Sequence, residues 1–333
     1  MVLGLIAGCS GSSKPAATAK KGLDKVTYVT GLGSYGREAY AWYGQAKGYF
    51  KDEGIDLTII PGTAGAANLK LIESGKAQFA AIDYSGAIVD YGKNIDTNFK
   101  IVDAVNQRTT IAIMTRTSSG INGPADLVGK KVGVQNGAVP ETLFPAYARL
   151  AGLTDAQIKA VTFVPATSPA QLPQFLAAKQ VAGIGQFVVG QPAVQAILGS
   201  SDTVNTLPYS KYLGDLYGNV LVATNKLIGS NPDLIKRFNK AYNKSLAASL
   251  DDPDGTATIL HKAVPAQQPG TASAEVKLLK PYCGTGDQIG SMDETKVARG
   301  IAILQGAGLF SNTFDPSKMV AFNLVPNATT AKG

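Results

Sequence analysis

The sequence predicts an α/β protein of two lobes, each a mainly parallel sheet flanked by helices, joined by two extended hinge crossovers. Three observations carry this expectation. From Lys25 onward, short apolar runs alternate with helical stripes, the pattern of a parallel sheet covered by helices. The same alternation starts again after Gly129. The length of 333 residues leaves room for two domains with ample core.

Each element can be justified in turn. Residues 26–30 form a short β-rich run, and Ala39, Trp42, Tyr43 and Ala46 then recur at the spacing of one helix face. Ile55–Ile60 reads as a second strand, stopped by Pro61-Gly62. Leu69 and Ile72 mark a helix closed by Gly75, and residues 78–82 a third strand. Residues 109–115 read as the first crossover. In the second unit Lys131–Gln135 is a strand, and Leu143, Phe144, Tyr147, Leu150 and Ala151 give a helical stripe. Leu172, Phe175 and Leu176 suggest another, followed by the apolar run 181–189. Asn219–Thr224 reads as the second crossover. Helical patterns follow at Leu234, Ile235, Phe238, Ala241, Tyr242 and Leu246, then at Val297, Ile301 and Leu304. These elements divide the chain into lobe I, residues 25–112 and 223–333, and lobe II, residues 113–222.

The N-terminus reads as an address. Residues 2–8 are a short apolar run ending in small residues before Cys9, and residues 10–21 are a Ser/Gly/Ala/Lys stretch unable to build a core. The run is too short to span a bilayer and fits the tail of a signal peptide. Ile6-Ala7-Gly8-Cys9 resembles a bacterial lipobox, although no Lys or Arg precedes the run. The resemblance implies that residues 1–8 are a signal remnant and 9–24 a flexible tether lipidated at Cys9. The expected location is the extracytoplasmic face of the cell membrane. Cys283 is then left without a disulfide partner.

Composition excludes several classes. Hydrophobic residues make up 45% and charged ones 17%, as in a folded globular chain. No apolar stretch approaches the roughly 20 residues of a membrane-spanning helix, which excludes an integral membrane protein. Two cysteines are too few for a disulfide scaffold, one histidine is too few for a histidine-rich metal site, and no cluster has metal spacing. The net charge of +7 supports weak steering of anions, and no basic block marks a nucleic-acid arm.

In open α/β sheets ligands sit beyond the carboxyl ends of strands, which selects the loops 31–37, 63–68, 83–87 and 136–141. Gly31-Leu32-Gly33-Ser34-Tyr35-Gly36 matches G-x-G-x-x-G after a strand and before a helix. It gives the enzyme hypothesis, an exported nucleotide-binding enzyme, its one motif. The acidic residue expected at the end of the second strand is missing, so a glycine-rich turn closing on a small ligand is the better reading. The single His261 has no Ser or Asp signature nearby, and Asp251-Asp252 lies in turn chemistry. No catalytic residue and no cofactor is expected.

The selected loops are aromatic and polar: Ser34, Tyr35 and Arg37 in the first, Thr63 in the second, Asp83, Tyr84 and Ser85 in the third, Asn136 in the fourth. Asn106 and Arg108 precede the first crossover, and Tyr217 and Asn219 stand at the second. Such a set suits a flat heterocycle, stacked and hydrogen-bonded at its edge. Trp42 and Tyr43 fit the core and the ligand side equally, and Asn136 fits a turn as well as a contact.

Four segments resemble the NMT1/THI5-like and SsuA-like substrate-binding proteins of ABC importers. They are Ala46-Lys47-Gly48-Tyr49-Phe50-Lys51-Asp52-Glu53-Gly54-Ile55, Ile72-Glu73-Ser74-Gly75-Lys76-Ala77-Gln78-Phe79, Glu141-Thr142-Leu143-Phe144-Pro145 with Leu150-Ala151-Gly152-Leu153, and Asn231-Pro232-Asp233-Leu234-Ile235-Lys236-Arg237-Phe238. The resemblance covers the chain from about Lys25 to at least Leu250. It implies a bilobal periplasmic-binding-protein (venus-flytrap) fold and a monomeric receptor that delivers a small solute to an ABC permease with its ATPase subunits. Ligands of the group include thiamine-type pyrimidines, sulfonates, taurine and nitrate. The cysteine-rich iron motif of its yeast enzyme branch does not occur here.

A thiamine-type pyrimidine is the expected ligand, with Tyr35 and Tyr84 stacking, Asp83 accepting from ring amines, and Asn106 and Arg108 addressing exocyclic oxygens. The alternative is an anion such as an alkanesulfonate, held through Arg37 or Arg108. A third, blander class is a structural lipoprotein that only reuses the fold.

Overall fold

The computed structural model describes Met1 and residues 22–63, 65–135, 138–168 and 170–330. Ten strands alternate with helices along it: β1 (Asp24–Val29), β2 (Ile55–Ile60), β3 (Phe79–Asp83), β4 (Phe99–Ala104), β5 (Ile111–Arg116), β6 (Lys131–Gln135), β7 (Thr162–Ala166), β8 (Gly183–Phe187), β9 (Val204–Pro208) and β10 (Asn219–Thr224). They form two five-stranded sheets with orders β2-β1-β3-β10-β4 and β7-β6-β8-β5-β9. In the first, β1 pairs in parallel with β2 and β3, whereas β10 runs antiparallel to both β3 and β4. In the second, β6 pairs in parallel with β7 and β8, and β5 runs antiparallel to β8 and β9. Each sheet is therefore parallel except for one inserted strand. This is the two-lobed α/β architecture the sequence predicts.

The inserted strands sit where the chain passes between the lobes. The runs expected as crossovers are themselves strands, β5 in one sheet and β10 in the other, and the passages lie just before each. They are joined to one another: Thr109 N donates to Leu216 O at 2.7 Å, Gly218 N to Asn106 O at 3.1 Å, and Asn106 N to Asn219 O at 3.2 Å. Extended apolar residues here make strands because both faces are covered, with every residue from Ile111 to Thr115 and from Val220 to Ala223 buried.

Lobe I is packed around aromatic rings. Phe79 of β3 stacks on Phe238 of the Pro232–Asp251 helix, with centroids 4.0 Å apart. Beside them the hydroxyls of Tyr28, Tyr40 and Tyr242 form a triangle with sides of 3.2, 2.8 and 2.9 Å. A second cluster runs without a break from Val29, Ile82 and Tyr84 of lobe I to Ile113, Val134 and Phe144 of lobe II. Among the described residues no helix is long and apolar enough to cross a membrane. Cys9 and the tether around it lie outside the described residues.

Candidate functional site

The first loop follows from β1. Thr30 closes it, donating its hydroxyl to Gly33 O at 2.5 Å and accepting from Gly62 N at 2.9 Å. Gly33, at φ 65°, donates its N–H to Gly62 O at 2.8 Å; that left-handed conformation favours glycine. Asn68 fastens the assembly. Its fully buried amide nitrogen is shared among Thr30 O, Gly31 O and Ala81 O at 2.9, 3.1 and 3.0 Å. The first two loops and β3 are thus one unit.

Amides at both ends of the G-x-G-x-x-G turn are taken by the protein's own carboxylates. Gly31 N donates to Glu38 Oε2 at 3.3 Å, and Arg37 N donates to Glu275 Oε2 at 3.4 Å. Glu38 also accepts from the Tyr40 hydroxyl at 3.2 Å and from Asn219 Nδ2 at 3.4 Å. Its side chain is fully buried, and that burial pushes its carboxyl up to about 7. Burial raises Glu275 as well, against the nearby Arg37 guanidinium. A pyrophosphate needs those amides free. Here two acidic side chains stand where it would lie.

The other candidates separate by position. Tyr35, Arg37 and Ser34 stay half-buried in the first loop, with the Arg37 guanidinium 4.6 Å from the Tyr35 ring centre. Asp83, at the end of β3, lies opposite Asn219 in the β3–β10 pairing. Its carboxylate caps the following helix, accepting from Ser85 N at 2.8 Å and Gly86 N at 3.2 Å, and burial pushes it up to about 6. Asn219 donates its backbone N–H to Asn106 Oδ1 at 3.0 Å. Thr63 is exposed, and its N–H donates to Asn68 Oδ1 at 3.2 Å.

Others are placed away from a ligand. Tyr84 is 0% exposed, meets Tyr217 edge-on at 5.2 Å and donates to Val297 O at 3.5 Å. It is a core ring with no face open to a ligand, because the helix starting at Asp83 turns it inward. Tyr217 is equally buried, and its hydroxyl accepts from Asp293 N at 2.9 Å. Ser85 is buried behind its own helix turn. Asn106 spends its amide on the passage and on Cys283 Sγ at 3.4 Å. Arg108 is exposed and turned outward, donating to Pro281 O at 3.0 Å and lying 4.7 Å from the Tyr282 ring centre. Trp42 and Tyr43 are buried along their helix. Asn136 lies outside the described residues.

Glu38, Glu275 and Phe187 belong to the candidate site and were not singled out from the sequence, and Asn68 was reached only as the end of the loop 63–68. Asn68 left a trace, a polar residue four before Ile72 on an apolar stripe. Glu275 left none, since it meets Arg37 across 238 residues of chain. Phe187 was absorbed into an apolar run, although it ends β8 beside the passage, where Val188 N donates to Thr110 O at 2.7 Å.

A protein-family model described as "NMT1/THI5 like" matches residues 39–256. The riboflavin-binding protein RibY of Chloroflexus aurantiacus is 22% identical over 327 residues, covering 96% of this chain and 91% of that protein. Among solved structures, the periplasmic aliphatic sulphonate-binding protein SsuA from Escherichia coli is similar with a TM-score of 0.70 at 15% identity, covering 93% of this chain and 94% of that one. The ligand-binding component of an ABC-type import system from Staphylococcus aureus gives a TM-score of 0.68 at 15% identity, with 91% and 98% covered.

Proposed function

From the premise that this chain belongs to the NMT1/THI5-like family, we propose that it is the extracytoplasmic solute-binding subunit of an ABC importer. It captures a small molecule between its lobes and presents the closed form to a permease. Lipid at Cys9 would hold it at the membrane, with the stretch to residue 24 as a tether. We favour a flat aromatic heterocycle as ligand, of the thiamine-pyrimidine type or similar to it.

The observation that carries the ligand class is the state of the first loop. Its amides at Gly31 and Arg37 already hold Glu38 and Glu275. A sulfonate or nitrate would meet two acidic side chains in place of free donors, and unlike charges are what such a ligand requires. A heterocycle that donates hydrogen bonds meets the acceptors of Asp83 and the face of Tyr35. The name of the RibY relative, a riboflavin-binding protein, points to the same chemical class. One observation favours the anion reading: among the described residues the Arg37 guanidinium is in no ion pair, although Glu38 and Glu275 lie near enough to feel its charge. The same filled loop counts against a nucleotide-binding enzyme.

Thermal melting against three panels, aminopyrimidines, flavins and alkanesulfonates, tests this. A ligand at 100 times its dissociation constant adds about 2.7 kcal/mol, a rise of several degrees for a chain this long. A rise with aminopyrimidines or flavins alone is expected. A rise with sulfonates alone would replace the heterocycle by an anion.

A further inference from the structure

Arg37 is stacked between the lobes. Its guanidinium lies 4.6 Å from the Tyr35 ring centre and 5.6 Å from that of Phe187. Tyr35 belongs to the first loop of lobe I, and Phe187 closes β8 in the other sheet. A guanidinium is planar, delocalised and weakly hydrated, and it stacks on aromatic faces. Among side chains it is a close mimic of one edge of a flat, electron-poor heterocycle.

Two further features mark Phe187. In the order β7-β6-β8 the chain steps from one side of β6 to the other, so the strand order reverses beside β8. Ligands collect beyond the carboxyl ends of strands at such switch points. The turn Val188–Gly190 that follows also packs on the Pro269–Cys283 helix of lobe I, which carries Glu275. Phe187 thus rides at the junction of the lobes, half-buried and packed against both hydrophobic clusters. Its distance from Arg37 is near the roughly 6 Å outer limit of a cation–π contact, so the lobe II ring has room to advance.

Resting on the heterocycle reading above, we propose that Tyr35 and Phe187 are the two halves of a stacking slot for a flat, uncharged or cationic heterocycle, and that Arg37 occupies the slot until the ligand displaces it. Affinity then depends on the face of Phe187 and not only on its bulk. Removing the Arg37 side chain relieves the ligand of a competitor.

The test uses riboflavin, followed by quenching of its fluorescence, and 4-amino-5-hydroxymethyl-2-methylpyrimidine, followed by calorimetry. Both are titrated into the wild type and the F187L, F187Y and R37A variants. For the probe that binds, F187L should lose about 5- to 100-fold in affinity, the range of one aromatic stack, while F187Y stays within about 2-fold. Leucine keeps the apolar bulk, so an unchanged melting temperature in F187L separates loss of the ring face from loss of fold. R37A should bind as tightly as the wild type or more tightly. Wild-type affinity in F187L overturns the slot and leaves the receptor role standing. A tenfold loss in R37A overturns the displacement. Failure of the wild type to bind either probe overturns the slot together with the heterocycle reading.

Discussion

Glu38 shows how a single side chain can organise a loop at a cost. Its carboxylate joins Gly31, Tyr40 and Asn219, and full burial raises it from 4.5 to about 7. Between those values the folded protein holds a proton that the unfolded chain has released. Stability therefore falls as pH rises through that window, and the full shift corresponds to about 3 kcal/mol. Asp83 and Asp90, both raised to about 6 by burial, act in the same direction, so a comparison isolates Glu38. The urea midpoint of the wild type should drop from pH 5 to pH 8 by more than that of E38Q. Parallel curves would show that Glu38 does not titrate there. Little of this was legible in the sequence, where Glu38 adjoins a predicted contact but pairs with Asn219 across 181 residues. Tyr84 illustrates the complementary error. Loop position predicted ligand contact, yet helix-start chemistry turns Tyr84 into the core, while Asp83 caps that helix through one carboxylate oxygen.

At the scale of elements, helix contacts depend on a missing side chain. Gly44 lets the Tyr40–Ala46 helix approach the Pro232–Asp251 helix so closely that a Cβ there would stand 1.7 Å from Ser245 Oγ and 2.9 Å from the Phe50 ring. G44A should cost about 1–3 kcal/mol by overpacking, and S245G should restore part of that loss in a double variant, measured by urea unfolding. Additive losses would mean that the two sites do not touch. The same scale explains which elements could be read. β2 and β6 stand where expected, each a short run bounded by clear breakers, whereas the run of β10, legible as extended, is a strand and not a crossover. β4, β7 and β9 gave no reading. β4 contains Lys100 and Asp103, β7 contains Pro165, and β9 is the short Val-Asn-Thr-Leu-Pro. Their places are set by neighbouring strands, which periodicity does not record.

For the whole molecule, the division into two α/β units was legible because the alternation of strand and helix restarts. The facing of those units was not, since Arg37 and Phe187 meet only through the fold. Closure of the lobes on a ligand makes a direct prediction: the radius of gyration from small-angle X-ray scattering should fall on adding the solute identified by melting. An unchanged value would mean that binding occurs without hinge motion. The passages at Asn106 and Asn219 share their hydrogen bonds, so any such motion must carry both at once.

The position of β10 has a consequence for the order of assembly. It stands between β3 and β4, yet nearly all of lobe II separates it from them along the chain. A nascent chain that has made β1 to β4 therefore holds β2, β1 and β3 paired, with the edge strand β4 still without its partner. The sheet of lobe II, by contrast, draws all its strands from one stretch between Ile111 and Pro208. Lobe II can finish while lobe I waits, because local pairings close before distant ones. Under the extracytoplasmic role proposed above, that delay would keep half of the chain threadable until the last interior strand arrives.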